Sequence, residues 1–167
     1  MDILFVCTGN ICRSPMAAGL LHHMLPPERQ GAVHVHSAGT YGLDGEPAAP
    51  FAVQAAAALG VDISRHRARS LDPEMVRQAD CILVMEPFHR DIVIRALPGE
   101  AQHRVRLLAG FERPPRSDTI DDPYSKPLEA YQVCLARMHR CLDNVVPYLF
   151  QPCDGRGGQC TFLEGRR

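Results

Sequence analysis

Four short strand-like runs recur along the chain, and at least one helix-length stretch separates each from the next. Met1 to Val6, Cys81-Ile82-Leu83-Val84-Met85 and Val105-Arg106-Leu107-Leu108 are mostly apolar without strict alternation, as strands covered on both faces must be. Val33-His34-Val35-His36 is the remaining run and ends at Ser37-Ala38-Gly39-Thr40. Met16, Leu20 and Met24 recur every four residues, which predicts a helix after the first strand, stopped by Pro26-Pro27. Further helices are expected over 48–59, capped by Gly60, over 72–78 and over 87–97, with loop over 112–127. A last helix, Leu128 to about Leu149, carries Leu128, Tyr131, Leu135, Met138, Leu142 and Val145 on one face. Strands alternating with helices in this way specify a parallel sheet with helices on both faces.

In such open sheets the site lies beyond the carboxyl ends of the strands. Cys7, Thr40 and Asp121-Asp122 each follow a strand or its connection and can reach that edge. The first strand runs into Cys7-Thr8-Gly9-Asn10-Ile11-Cys12-Arg13-Ser14, the pattern Cys-x5-Arg-Ser. A loop of this kind can wrap a tetrahedral oxyanion in main-chain N–H groups at the positive end of a helix dipole. The same field favours thiolate over thiol at its base, so anion binding and nucleophile activation come from one arrangement. Ser14-Pro15 reads as helix N-cap and first helical residue.

Cleaving a phosphate ester also needs a proton for the departing oxygen. Asp121-Asp122-Pro123-Tyr124 is the best candidate source. Adjacent carboxylates near a thiolate and a phosphate dianion repel, which keeps one protonated near neutral pH. Pro123 restricts the Asp122 backbone and can fix its aim, and Tyr124 offers an aromatic wall.

With 167 residues a single domain can bury a substantial core. A net charge of −1 gives no sign of nucleic-acid or membrane binding. Seven Cys at irregular spacing, with no apolar leader, favour a reducing, cytoplasmic setting. His34 and His36 share a strand face but have no acidic or Cys partner at ligand spacing, so no metal is expected. His22-His23 and His139 read as helix surface, and Cys134 and Cys141 as core. Residues 151–167, with Cys153 and Cys160, read as a loose tail. Gly155-Arg156-Gly157-Gly158 lacks the Lys-Ser/Thr and the preceding strand of a nucleotide loop.

Taken together, Cys7 to Pro15 and Asp121 to Tyr124 resemble the low-molecular-weight protein tyrosine phosphatase family. The likeness extends through Ser37 to Thr40, His66-Arg67-Ala68-Arg69 and Asp80 to Met85. It covers about residues 1–149 and implies a phosphatase domain over 1–150. It also implies a three-layer α/β fold, a four-stranded parallel sheet with helices on both faces. By that resemblance Cys7 attacks phosphorus and becomes a phosphocysteine, and Arg13 clamps two phosphate oxygens. Ser14 hydrogen-bonds the Cys7 sulfur, Asp122 is general acid and then base, and Asp121 is a supporting neighbour. Thr8, Gly9, Asn10, Ile11 and Cys12 complete the phosphate loop. Asn10 takes a left-handed backbone and His66 braces it. No cofactor or metal is implied.

Relatives of this fold also cleave phosphoarginine or reduce arsenate. In the phosphoarginine enzymes the Ile11 position is typically Thr. A bulky apolar Ile11, with Tyr41 and Tyr124 as walls, suits a deep slot for phosphotyrosine. Arsenate reduction needs two further cysteines close together, and no Cys lies between 82 and 133. A phosphate-binding module without chemistry is the remaining alternative, and the joint presence of Cys7, Arg13, Ser14 and Asp122 speaks against it. The spacing of Cys7 and Cys12 suggests a protective disulfide on oxidation, as in relatives carrying this second Cys. The expected partner is a phosphotyrosine-bearing protein, by resemblance to relatives a bacterial tyrosine kinase, and the expected assembly is a monomer or weak dimer.

Overall fold

A computed structural model describes residues 1–150. The expected loose tail over 151–167, with Cys153 and Cys160, lies outside the described residues. Four strands form one sheet: β1 (Asp2–Cys7), β2 (His34–Gly39), β3 (Cys81–Val84) and β4 (Val105–Leu107). Their order is β2-β1-β3-β4 and every pairing is parallel. Register aligns Cys7 with Gly39 and Val6 with Val84, so the ends of β1, β2 and β3 meet at one edge.

Among the described residues six α-helices connect and cover the strands: α1 (Arg13–Met24), α2 (Pro27–Gln30), α3 (Pro50–Ala57), α4 (Pro73–Gln78), α5 (Pro87–Ile94) and α6 (Leu128–Leu149). Two 3-10 turns, Gly99–Arg104 and Leu108–Phe111, flank β4. Side chains alternate along β1. Ile3, Phe5 and Cys7 enter the core shared with α1, α3 and α6, while Leu4 and Val6 pack with Val76, Val93 and Leu97 beneath α4 and α5. Burial on both faces explains why the run is apolar throughout.

The expected alternation of strands and helices is present, with boundaries shifted by a few residues. Gly60 takes φ 75°, and Val61 N–H donates to Ala56 O behind it, ending the α3 turn as its glycine suggested. Asp72 caps α4 by accepting from Glu74 N–H at 2.7 Å. Pro26-Pro27 ends α1, but Pro27 then starts α2, because proline fits a first helical turn as readily as it blocks a last one. Ser14 is not an N-cap. The helix begins at Arg13, and the Ser14 hydroxyl is held elsewhere. No helix among the described residues is long and apolar enough to cross a membrane.

Candidate active site

The chain between β1 and α1 curls over the sheet edge. Gly39 shows how tightly: a Cβ there would lie 2.3 Å from Thr8 O and 3.0 Å from Asn10 N. Only a bare α-carbon permits that approach. None of the N–H groups of Gly9, Asn10, Ile11 and Cys12 has an acceptor among the described residues. They border the amino end of α1, where the dipole favours an anion.

Asn10 is the keystone of this loop. It takes φ 57°, the left-handed backbone expected of it, and is fully buried. Its Nδ2 donates to Ser14 Oγ at 2.8 Å and to Ser37 Oγ at 2.9 Å, and its Oδ1 accepts from Arg69 N at 2.9 Å. His66 Nε2 donates to Asn10 O at 2.7 Å. Burial lowers the His66 pKa, which suits a neutral ring used as a brace.

Ser14 Oγ already accepts from Asn10, and it lies 3.0 Å from Cys7 Sγ. Its single O–H can be given to the sulfur, with the longer contact to Ala38 O at 3.5 Å as the competing acceptor. Cys7 is buried at the floor of a cleft of about 390 Å³ that Thr8, Gly9, Ile11, Cys12, Arg13, Tyr41, Leu43, Asp122 and Tyr124 also line.

Arg13 is 1% exposed and held on three sides. It donates to Glu86 Oε1, to Ile120 O at 3.0 Å and to Asp122 Oδ2 at 2.6 Å. Burial works against its charge, but Glu86, Asp122 and Cys7 more than offset that and raise its pKa. Asp122 Oδ1 in turn accepts from Tyr124 N at 3.0 Å. Its carboxylate is thus aimed by Arg13 and by the turn after Pro123. Asp121 stands exposed beside it, lining a neighbouring hollow with Lys126 and Glu129. The Arg13 guanidinium and the Tyr124 N–H are the contacts that position Asp122.

Tyr41 and Tyr124 flank the cleft, though both stand largely in solvent, and Leu43 adds an apolar wall that nothing in its sequence neighbourhood singles out. Glu86 and His89 are also new. Both follow β3, which lies beside β1 in the sheet, so they arrive next to the loop from a distant part of the chain. His89 is fully buried, its Nε2 is 3.0 Å from Thr8 Oγ1, and its Nδ1 has no partner among the described residues. Desolvation, helped by the nearby Arg13 charge, pushes its pKa down to about 4.

Cys12 is buried and its thiol donates to Tyr131 Oη at 3.7 Å; desolvation raises its pKa to about 12. His36 faces Asp2 at 3.6 Å, and among the described residues no three His, Cys, Asp or Glu side chains cluster as a metal site.

Comparison with known proteins agrees with this geometry. The profile of the family described as low molecular weight phosphotyrosine protein phosphatase matches residues 2–151. The chain is 42% identical over 147 residues to the "Probable low molecular weight protein-tyrosine-phosphatase EpsP" of Ralstonia solanacearum, covering 87% of this chain and 93% of that protein. It is 34% identical over 147 residues to a protein-arginine-phosphatase of Geobacillus stearothermophilus, covering 88% and 95%. Among solved structures, the tyrosine phosphatase amsI of Erwinia amylovora superposes with a TM-score of 0.79 at 34% identity, covering 90% of this chain and 93% of that one.

Proposed function

The chain belongs to the low molecular weight phosphotyrosine protein phosphatase family, and on that premise we propose that it hydrolyses protein phosphotyrosine through a phosphocysteine on Cys7. The observation that carries this is one cleft holding a buried sulfur at its floor, an arginine clamp beside it and a carboxylate above. The phosphate would take the N–H groups of the loop and the Arg13 fork, which matches its planar pairs of oxygens. Cys7 sulfur attacks phosphorus in line, and the P–O bond to the tyrosine oxygen breaks as Asp122 delivers its proton. Water then attacks the phosphocysteine, Asp122 takes a proton from it, and the sulfur leaves as thiolate with Ser14 donating to it. Arg13 and the loop amides supply the charge stabilisation that a metal supplies elsewhere, so the reaction needs none.

Specificity rests on the cleft walls. Ile11, Leu43, Tyr41 and Tyr124 offer apolar and aromatic surface, and the Ile11 side chain has no acceptor for a guanidinium. A shorter phosphoserine would not bring phosphorus to a sulfur at the cleft floor. We therefore favour phosphotyrosine over the phosphoarginine that the name of the Geobacillus relative implies for that protein. Arsenate reduction would need a relay thiol, and Cys81 is poorly suited to that role. It is buried in β3, and desolvation raises its pKa to about 12, far from an exchanging thiolate. The expected substrate is a phosphotyrosine-bearing protein, with a bacterial tyrosine kinase the first to assay. Five unpaired thiols among the described residues suit a cytoplasmic, reducing compartment.

Release of phosphate from matched phosphotyrosine and phosphoarginine peptides, measured in EDTA, tests this directly. Phosphotyrosine should be the better substrate, and Ile11→Thr should shift the ratio towards phosphoarginine. Preferential phosphoarginine hydrolysis by the unaltered protein would overturn the assignment.

A further inference from the structure

Glu112 lies in a segment whose sequence reads as polar loop, yet it is 1% exposed. Its carboxylate accepts from Arg137 Nε at 2.9 Å and from Arg140 Nη2 at 3.1 Å, with Arg116 Nε at 3.7 Å on the outer side. Burial works against its charge, but Arg137 and Arg140 more than offset this and hold the carboxyl below its usual range. The buried acid is therefore a fixed anchor that orients Arg137.

The remaining donors of Arg137 reach a different target. Nη1 donates to Thr119 O at 2.5 Å, and Nη2 donates to Ser117 O at 3.0 Å and Ser117 Oγ at 3.1 Å. Those carbonyls belong to the strap that leads into Ile120, Asp121 and Asp122. On its other side Ile120 N donates to Met85 O at 2.8 Å, and Ile120 O accepts from Arg13. The strap is thus gripped from α6, from the end of β3 and from the phosphate loop at once.

We propose that Arg137, oriented by Glu112, is a positioning residue that sets the height of Asp122 above Cys7. The proposal rests on the assignment of Asp122 as proton donor. Proton delivery requires a heavy-atom separation of roughly 2.6–3.2 Å, and a shift of about 1 Å in a reacting group can lose about two orders of magnitude. Arginine is the side chain that can do this. Its planar fork bonds one carboxylate and two carbonyls together, whereas the ammonium of lysine is a single point on a flexible stem.

Substitution should therefore impair proton delivery selectively. An aryl phosphate whose phenol is a poor leaving group, like tyrosine itself, needs the proton; a strongly acidic nitro- or polyfluorophenol departs with little help. In Arg137→Lys, kcat/KM on the poor-leaving-group ester should fall at least about tenfold further than kcat/KM on the activated one, and Glu112→Gln should move the same ratio in the same direction. Arg140→Ala, which takes a donor from Glu112 without touching the strap, should leave that ratio unchanged. Thermal melting of each variant confirms that folded enzyme is being assayed. If Arg137→Lys and Glu112→Gln behave like Arg140→Ala, the positioning role is wrong. Asp122→Ala, run in parallel, separates the two assignments: absence of leaving-group selectivity in that variant would instead remove Asp122 as the acid.

Discussion

Arg13 Nη2 donates to Asp122 Oδ2 at 2.6 Å, so the proposed phosphate clamp and the proposed general acid share a hydrogen bond. On the mechanism proposed above, the two groups exchange this partner during turnover. When phosphate takes the guanidinium, the Asp122 carboxyl is released from it and can hold a proton for the leaving oxygen. Glu86 also accepts from Arg13 and would leave the guanidinium a second anchor. Arg13→Lys keeps a charge but loses the fork, so turnover should fall by about 10²–10³ with weaker inhibition by inorganic phosphate. Steady-state kinetics with phosphate as competitive inhibitor checks it; near-normal kcat would contradict the shared role.

Gly39 carries the closest approach in the site. A methyl group there would press on Thr8 O and Asn10 N, both parts of the phosphate loop. Gly39→Ala should cost about 1–3 kcal/mol of stability and abolish activity well below the melting transition. Urea denaturation together with residual kcat gives the answer. Full activity in the folded variant would mean the loop tolerates a shift there.

His89 ties stability to pH. Its folded pKa, about 4, lies below the unfolded value of 6.5, so the unfolded chain binds more protons in that window. Stability is therefore full above about pH 6.5 and declines as the pH falls towards 4, by up to roughly 3 kcal/mol from this one group. His66, whose pKa is also lowered by burial, adds to the same trend. In His89→Gln the loss of melting temperature between pH 7 and pH 4.5 should be visibly smaller than in the unaltered protein. Equal slopes would show that His89 is not the group responsible.

Cys12 is the candidate partner for an oxidised Cys7. Peroxide would convert the Cys7 thiolate to a sulfenic acid, and the Cys12 sulfur would displace its oxygen as water, leaving a disulfide. With a pKa near 12 and a contact to Tyr131, Cys12 is a poor nucleophile at rest, so closure should be slow and should speed up as the pH rises. Peptide mass mapping after mild peroxide should recover a Cys7–Cys12 linked pair, with activity restored by dithiothreitol. Cys7 overoxidised beside a free Cys12 thiol would end this proposal.

How far the sequence speaks differs between parts of the molecule. β1 and β3 were legible because both faces are buried, which removes polar residues and leaves an unmistakable run. Asn10, Ser14 and His66 were legible through the resemblance, since their spacing around Cys7 is local or belongs to a short motif. Glu86, His89 and Glu112 were not. Each is a polar residue at a helix start or in a loop, where polarity is the ordinary expectation, and nothing nearby in the chain marks them. They reach the site only through the strand order, which sets the end of β3 beside β1, and through the packing of α6 on the strap. The Ser14 cap failed for a related reason: its hydroxyl serves Cys7 and Asn10 across the loop, a tertiary demand that overrides the local capping preference.

The direct test of the account is the covalent intermediate. Asp122→Ala mixed with an activated aryl phosphate and acid-quenched within the first turnovers should carry one phosphoryl group, and peptide mapping should place it on Cys7. Release of the phenol in that experiment with an unmodified Cys7, or a phosphoryl group on any other residue, would contradict it.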